Sequence, residues 1–195
     1  MQLQGYTGIY GGSFNPIHTG HIALAHTLLE RCGLEEVWFM VSPQNPLKQQ
    51  ADLMDDERRY ELVCDALQSE AGLVPCKYEF ALPRPSYMWN TLRHLSADYP
   101  DKRFALIIGA DNWVVFNRWY HAADIVAHYP IIVYPRQGCE VNATLLPPRV
   151  MLVNTVLLPI SSTMIRQRVA AGCDITGMVP PAIQSRVLQW YGSQQ

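Results

Sequence analysis

Compact apolar runs alternate along the chain with longer stretches in which apolar positions recur every three or four residues. The runs at 8–10, 36–41, 104–109, 131–134 and 150–153 are dense in β-formers. Each is too short for a helix and reads as a strand buried on both faces. Residues 74–80 read as a further strand, placed by Pro75 at a sheet edge. Between the runs, Ile22, Leu24, Ala25, Leu28 and Leu29 fall at helical spacing from a start near Thr19, with Gly33 as the stop. Asp55, Asp56 and Glu57 open a second helix that runs to about residue 68. Residues 86–95 form another, and 161–170 and 181–190 close the chain as a small helical portion. This alternation predicts an α/β fold, a doubly wound parallel sheet. Such sheets bind ligands beyond the carboxyl ends of their strands, where Gly11, Gly12 and Gly109 fall.

Composition narrows the function classes. The 195 residues suit one domain, 1–195, with a sizeable core, and 49% hydrophobic against 16% charged residues excludes a disordered chain. The net charge is −2 without any Lys/Arg run, so no nucleic-acid partner is expected and any phosphate must be held by a local site. Five cysteines without a CxxC pair read as reduced thiols, not as a disulfide or zinc framework. The stretch MQLQGYTGIYGG lacks a basic leader and a long apolar run, and no segment reaches membrane-spanning length. A cytoplasmic protein with no membrane partner is the expectation.

The first chemical signal is GGSFNPIHTGH, residues 11–21. Gly11 and Gly12 let backbone approach a ligand without a Cβ in the way. A helix starting near Thr19 presents N–H groups with no intrahelical partner and a partial positive charge, which favours an anion. His18 and His21 lie three apart and face one way. Imidazoles there act as donors able to carry charge near neutral pH and to stabilise a developing negative oxygen. An HxxH pair also suits a metal, but no further ligand lies at metal spacing and HExxH is absent, so phosphate is the stronger reading. His26, His94, His121 and His128 lack such support and read as structural.

The second signal is ISSTMIR, residues 160–166. Ser161 is a good N-cap; Ser162 and Thr163 follow in the first turn, and Arg166 shares a face with Thr163. Hydroxyls, helix N–H groups and a guanidinium then converge as if on the β- and γ-phosphates of a nucleotide. Taken alone, the same residues fit a capped surface helix. In the loop SPQNPLK, Lys48 is either a cation for a triphosphate or a solvated lysine, and Asn45 either an amide for a second substrate or a turn residue.

Together these segments resemble the nucleotidyltransferase superfamily, and most closely the bacterial nicotinate-nucleotide adenylyltransferases, whose form is near GGTFDPIHxGH. Ser13 stands for Thr and Asn15 for Asp. ISSTMIR matches the second family signature at every defined position. IIGADNWVVFNRWY, residues 107–120, resembles IIGxDxLxxLxxWY, and RPSYMWNTL resembles the family's SYTxxTL with Met88 in place of the first Thr. The resemblance implies a Rossmann-like nucleotidyltransferase fold and transfer of an adenylyl group from ATP to nicotinate mononucleotide, giving nicotinate adenine dinucleotide and pyrophosphate. It implies catalytic roles for His18 and His21, and an ATP site built from Gly11, Gly12, Ser13, Phe14, His18, His21, Lys48, Gly109, Asp111, Ser162, Thr163 and Arg166. Asn45, Ser86, Tyr87, Trp119 and Tyr120 would hold the pyridine mononucleotide, with Trp119 stacked on the ring. Trp38, Trp89, Trp113 and Trp190 read as packing residues.

No general base is needed, because the attacking phosphate oxygen is already ionised; positioning and charge stabilisation carry the reaction. Mg²⁺ would arrive with ATP, retaining much of its hydration, and no protein metal site is expected. The alternatives are nicotinamide mononucleotide or another phosphate acceptor as substrate, and a nucleotide-binding protein without turnover. A homo-oligomer is compatible with all of them.

Overall fold

A computed structural model describes residues 2–43, 53–156 and 158–192 of the chain. Six parallel strands form its sheet: β1 (Tyr6–Gly12), β2 (Glu36–Val41), β3 (Leu73–Cys76), β4 (Arg103–Gly109), β5 (Ile131–Tyr134) and β6 (Val150–Leu152), in the order β3-β2-β1-β4-β5-β6. The strand order reverses between β1 and β4, which opens a crevice at their carboxyl ends. The doubly wound prediction holds.

Strand residues serve two cores in alternation. Tyr10, Phe39, Ile107 and Ile132 face one layer; Ile9, Met40, Leu106 and Ile131 face the other. The first layer holds α1 (Thr19–Cys32), α2 (Asp56–Leu67), α6 (Ser162–Ala170) and α7 (Pro181–Gly192). The second holds α3 (Met88–Asp98) and α5 (Ala122–His128). Burial on both faces is why the strands read as continuous apolar runs rather than alternating ones.

Most predicted boundaries stand. Thr19 begins α1 and Gly33 ends it in a left-handed conformation, its N–H donating to Leu29 O. Asp55 caps α2 by accepting from Arg58 N. Three expectations change. The strand expected over 74–80 ends at Cys76 and gives way to a 3₁₀ turn, Tyr78–Ala81, that turns the carboxyl of Glu79 inward. Pro75 does sit on the edge strand, paired to β2 on one side only, so its missing N–H costs no ladder bond. The helix expected from residue 86 starts at Met88, because Ser86 and Tyr87 line a cavity and Tyr87 is extended. Between Gly109 and β5, α4 (Ala110–Val114) and α5 are elements that no periodicity announced.

Candidate active site

The loop after β1 runs along the carboxyl edge of the sheet and is fixed from beneath by a buried arginine. Arg59 is fully buried; its Nε donates to Met54 O at 2.8 Å, and Nη1 to Ser13 O at 2.5 Å and Ser42 O at 3.1 Å. Nη2 pairs with Asp56 at 2.5 Å. Three backbone carbonyls and a carboxylate thus satisfy one guanidinium, as burial of a charge demands. Asn15 is buried too. Its Oδ1 accepts from Tyr191 Oη at 2.7 Å and Met54 N at 3.3 Å, which ties the loop to α7. The amide replacing the family's Asp therefore sits as an acceptor inside the protein.

Other side chains fill the space left by the two glycines. A Cβ on Gly12 would lie 3.0 Å from the Phe14 ring, and one on Gly11 3.2 Å from Met88 Cε. Both glycines still line the cavity, but their missing side chains make room for protein as well as for ligand. Phe14 is 3% exposed and packs edge-on to Tyr10 and His21, so its ring belongs to the core.

His18 and His21 face the same way, as their spacing requires, and stack with ring centroids 3.5 Å apart. His21 Nδ1 accepts from His18 N at 3.3 Å, which leaves the ring proton on Nε2 as a donor. The expectation that both imidazoles carry charge fails for His18. Burial, followed by the positive charge of Arg136, pulls its pKa down to about 4, and Nδ1 has no hydrogen-bond partner. Two imidazolium rings in a stack would repel; the buried one is held neutral. The anion site at the start of α1 is also narrower than the sequence implied. Thr19 N already donates to Met178 O at 3.0 Å and His21 N to His18 O at 2.9 Å.

The second signature lies directly against the first. Ser161 caps α6 by accepting from Met164 N at 3.1 Å. Ser162 Oγ donates to Pro16 O and Arg166 Nη1 to Asn15 O, both at 2.8 Å. Segments about 150 residues apart are thereby bonded carbonyl to side chain. Thr163 stands exposed on the same first turn.

A cavity of about 310 Å³ opens beside this edge. Its walls include Gly11, Gly12 and Gly109, expected at the ATP, together with Ser86, Tyr87, Trp119 and Tyr120, expected at the pyridine mononucleotide. Asp111, His18, His21, Ser162, Thr163 and Arg166 are not among the residues of its walls. Tyr10 spans the two regions, with ring centroids 6.1 Å from His21 and 6.0 Å from the cavity residue Tyr134. Asp111 lies 3.7 Å from Arg136, and a Cβ on Gly109 would displace its carboxylate from this position. Asn45 and Lys48 lie outside the described residues. His26, read as structural, pairs with Glu70 at 2.6 Å, away from the site.

Sequence reasoning missed Arg136, Arg59, Tyr191, Glu79 and Arg118. Arg136 follows the carboxyl end of β5, the same placement that drew attention to Gly109, and donates to Tyr134 Oη at 3.1 Å. Glu79 is buried in the cavity wall, where desolvation pushes its carboxyl pKa up while hydroxyls of Thr91, Ser42 and Ser86 oppose the shift. Nothing local in the sequence marks Glu79 or Arg59. Among the described residues no three His, Cys, Asp or Glu side chains gather as a metal cage.

A model of the cytidylyltransferase-like family matches residues 9–168. A probable nicotinate-nucleotide adenylyltransferase of Bacteroides fragilis is 50% identical over 183 residues, covering 94% of this chain and 91% of its own. One from Porphyromonas gingivalis is 43% identical and covers 89% of each chain. Among solved structures, Plasmodium falciparum nicotinic acid mononucleotide adenylyltransferase complexed with NaAD shares the fold, with a TM-score of 0.81 at 18% identity and 96% of each chain covered.

Proposed function

The chain belongs to the nicotinate-nucleotide adenylyltransferases of the cytidylyltransferase-like family, and we propose that it transfers the adenylyl group of ATP to nicotinate mononucleotide. One observation carries this reading most: Ser162 and Arg166 are bonded to the carbonyls of Pro16 and Asn15, which sets the second signature beside the stacked histidines. A triphosphate laid along that edge would meet both.

The acceptor's phosphate oxygen attacks the α-phosphorus of ATP. The bond from that phosphorus to the bridging oxygen breaks, and pyrophosphate leaves with the electron pair. No proton need be removed, so the site's task is to align the groups and stabilise charge. His21 Nε2–H donates to the α-phosphate, and neutral His18 supports its ring from behind. The backbone N–H of Ser162, the Arg166 nitrogens not bonded to Asn15 O, Thr163 and Lys48 hold the β- and γ-phosphates, and Arg136 adds charge between the two substrates. Mg²⁺ would arrive with the nucleotide and supply charge neutralisation at its phosphates, with no protein side chain assigned to it.

Trp119, Tyr87 and Tyr120 would enclose the pyridine ring, and Asn45 and Ser86 would support the mononucleotide. The first turn of α3 and the exposed Arg118 at the cavity wall favour an anionic ring substituent, hence nicotinate over nicotinamide. No helix among the described residues is long and apolar enough to cross a membrane; a cytoplasmic setting, where ATP is plentiful, fits the reaction. The test is a steady-state assay with ATP and Mg²⁺ against both mononucleotides, scoring dinucleotide and pyrophosphate. The expected result is a higher kcat/KM with nicotinate mononucleotide. ATP binding without dinucleotide from either acceptor would refute the reading.

A further inference from the structure

Two short segments at the cavity mouth touch twice. Tyr87 meets Tyr120 with ring centroids 4.9 Å apart, and two residues further on Trp89 stacks on His121 at 5.6 Å with 20° between planes. Tyr87 and Tyr120 line the cavity; Trp89 and His121 stand behind them. The Tyr120 ring also packs edge-on to His121 at 4.2 Å.

His121 is an unusual link in this chain of rings. Its φ is +55°, the left-handed region that a residue with a Cβ disfavours, and it caps the start of α5. Two contacts hold it there. Its Nδ1 lies 2.6 Å from Asp124 Oδ2, and Trp89 covers its ring. Trp89 is itself fixed in the first turn of α3 by His128, Tyr129 and the guanidinium of Arg93, which sits 5.8 Å from its ring. Trp119 and Tyr120 immediately precede His121, so its φ and ψ fix the angle at which their segment meets the start of α5.

We propose that the Trp89–His121 stack is a positioning device for the pyridine end of the site. It locks the left-handed turn at His121 and thereby aims Trp119 and Tyr120 at Tyr87, so that the aromatic slot stands formed before the substrate enters. The inference rests on reading the cavity as the pyridine mononucleotide site. Neither partner touches the ligand. A preformed slot spares the substrate the cost of ordering it, so the device acts on affinity for the mononucleotide and not on ATP, whose phosphates are held along the loop edge.

The experiment compares Trp89→Ala, Trp89→Phe, His121→Ala and the double alanine variant, each with separate KM values for nicotinate mononucleotide and ATP. Trp89→Ala is expected to raise KM for the mononucleotide about tenfold while kcat and KM for ATP stay within about twofold. Trp89→Phe restores most of the loss, and the double variant is no worse than the poorer single one, because both remove one contact. Should Trp89→Ala not fold, His121→Ala carries the same expectation. A folded alanine variant with unchanged mononucleotide KM, equal rises for both substrates, or additive losses would overturn the device while leaving the proposed reaction intact. Wild-type protein that forms no dinucleotide would overturn both.

Discussion

The two ends of the crevice are built on different physical terms. At the phosphate end the side chains are fastened to backbone: Arg59 to Ser13 O, Arg166 to Asn15 O, Ser162 to Pro16 O, and His21 to His18 N. At the pyridine end, rings rest on rings, and the buried indole N–H of Trp119 has no hydrogen-bond partner. The first end is a frame whose geometry is closed before any ligand arrives. The second is a set of surfaces whose shape depends on how distant side chains pack. A frame of this kind confers rate, because charge stabilisation needs donors that do not move. A ring slot confers affinity and choice.

The contrast is testable from its largest consequence downward. His21→Ala removes a donor from the frame and is expected to lower kcat about a hundred- to a thousand-fold with the thermal midpoint little changed. A folded variant with near-normal turnover would break the distinction at its root. Next is the neutral His18. The unfolded chain binds a proton at the ordinary pKa of 6.5, whereas the folded chain resists until about pH 4. Stability is therefore full above about pH 6.5 and is lost as pH falls through that window, by up to about 3 kcal/mol. Denaturant unfolding at pH 7 and pH 4.5, wild type against His18→Asn, reads this: the wild type should lose more, and equal losses would show that His18 is not held neutral by the fold.

At the other end, Trp119→Ala is expected to raise KM for the mononucleotide by about ten- to thirtyfold, with a smaller change in kcat. A kcat effect as large as that of His21→Ala would erase the division of labour. The smallest effect belongs to the tie beneath the frame. Tyr191→Phe deletes one buried hydrogen bond to Asn15, expected to cost about 1 kcal/mol of stability. A measurable fall in kcat without a change in either KM would show that the frame is felt at the reacting phosphorus.

The same contrast explains what could be read from the chain. Fixed spacing in GGSFNPIHTGH and ISSTMIR encodes a backbone frame, so His18, His21, Ser162 and Arg166 were legible, as was the parallel sheet, though not its strand order. Ring packing has no local code: Tyr87, Trp119 and Tyr120 stood out only through family resemblance, and Trp89 and His121 looked like ordinary packing residues. Arg59 and Glu79 were hidden for another reason. A lone charged residue in a helical or turn segment looks solvated until the fold encloses it. Charge at His18 was misjudged because burial, which sequence does not display, outweighs the intrinsic basicity of imidazole.

The bond between Tyr191 of α7 and Asn15 of the first loop joins regions 176 residues apart in sequence. A local opening of α7 would therefore release a buried acceptor in the loop that leads to the histidines.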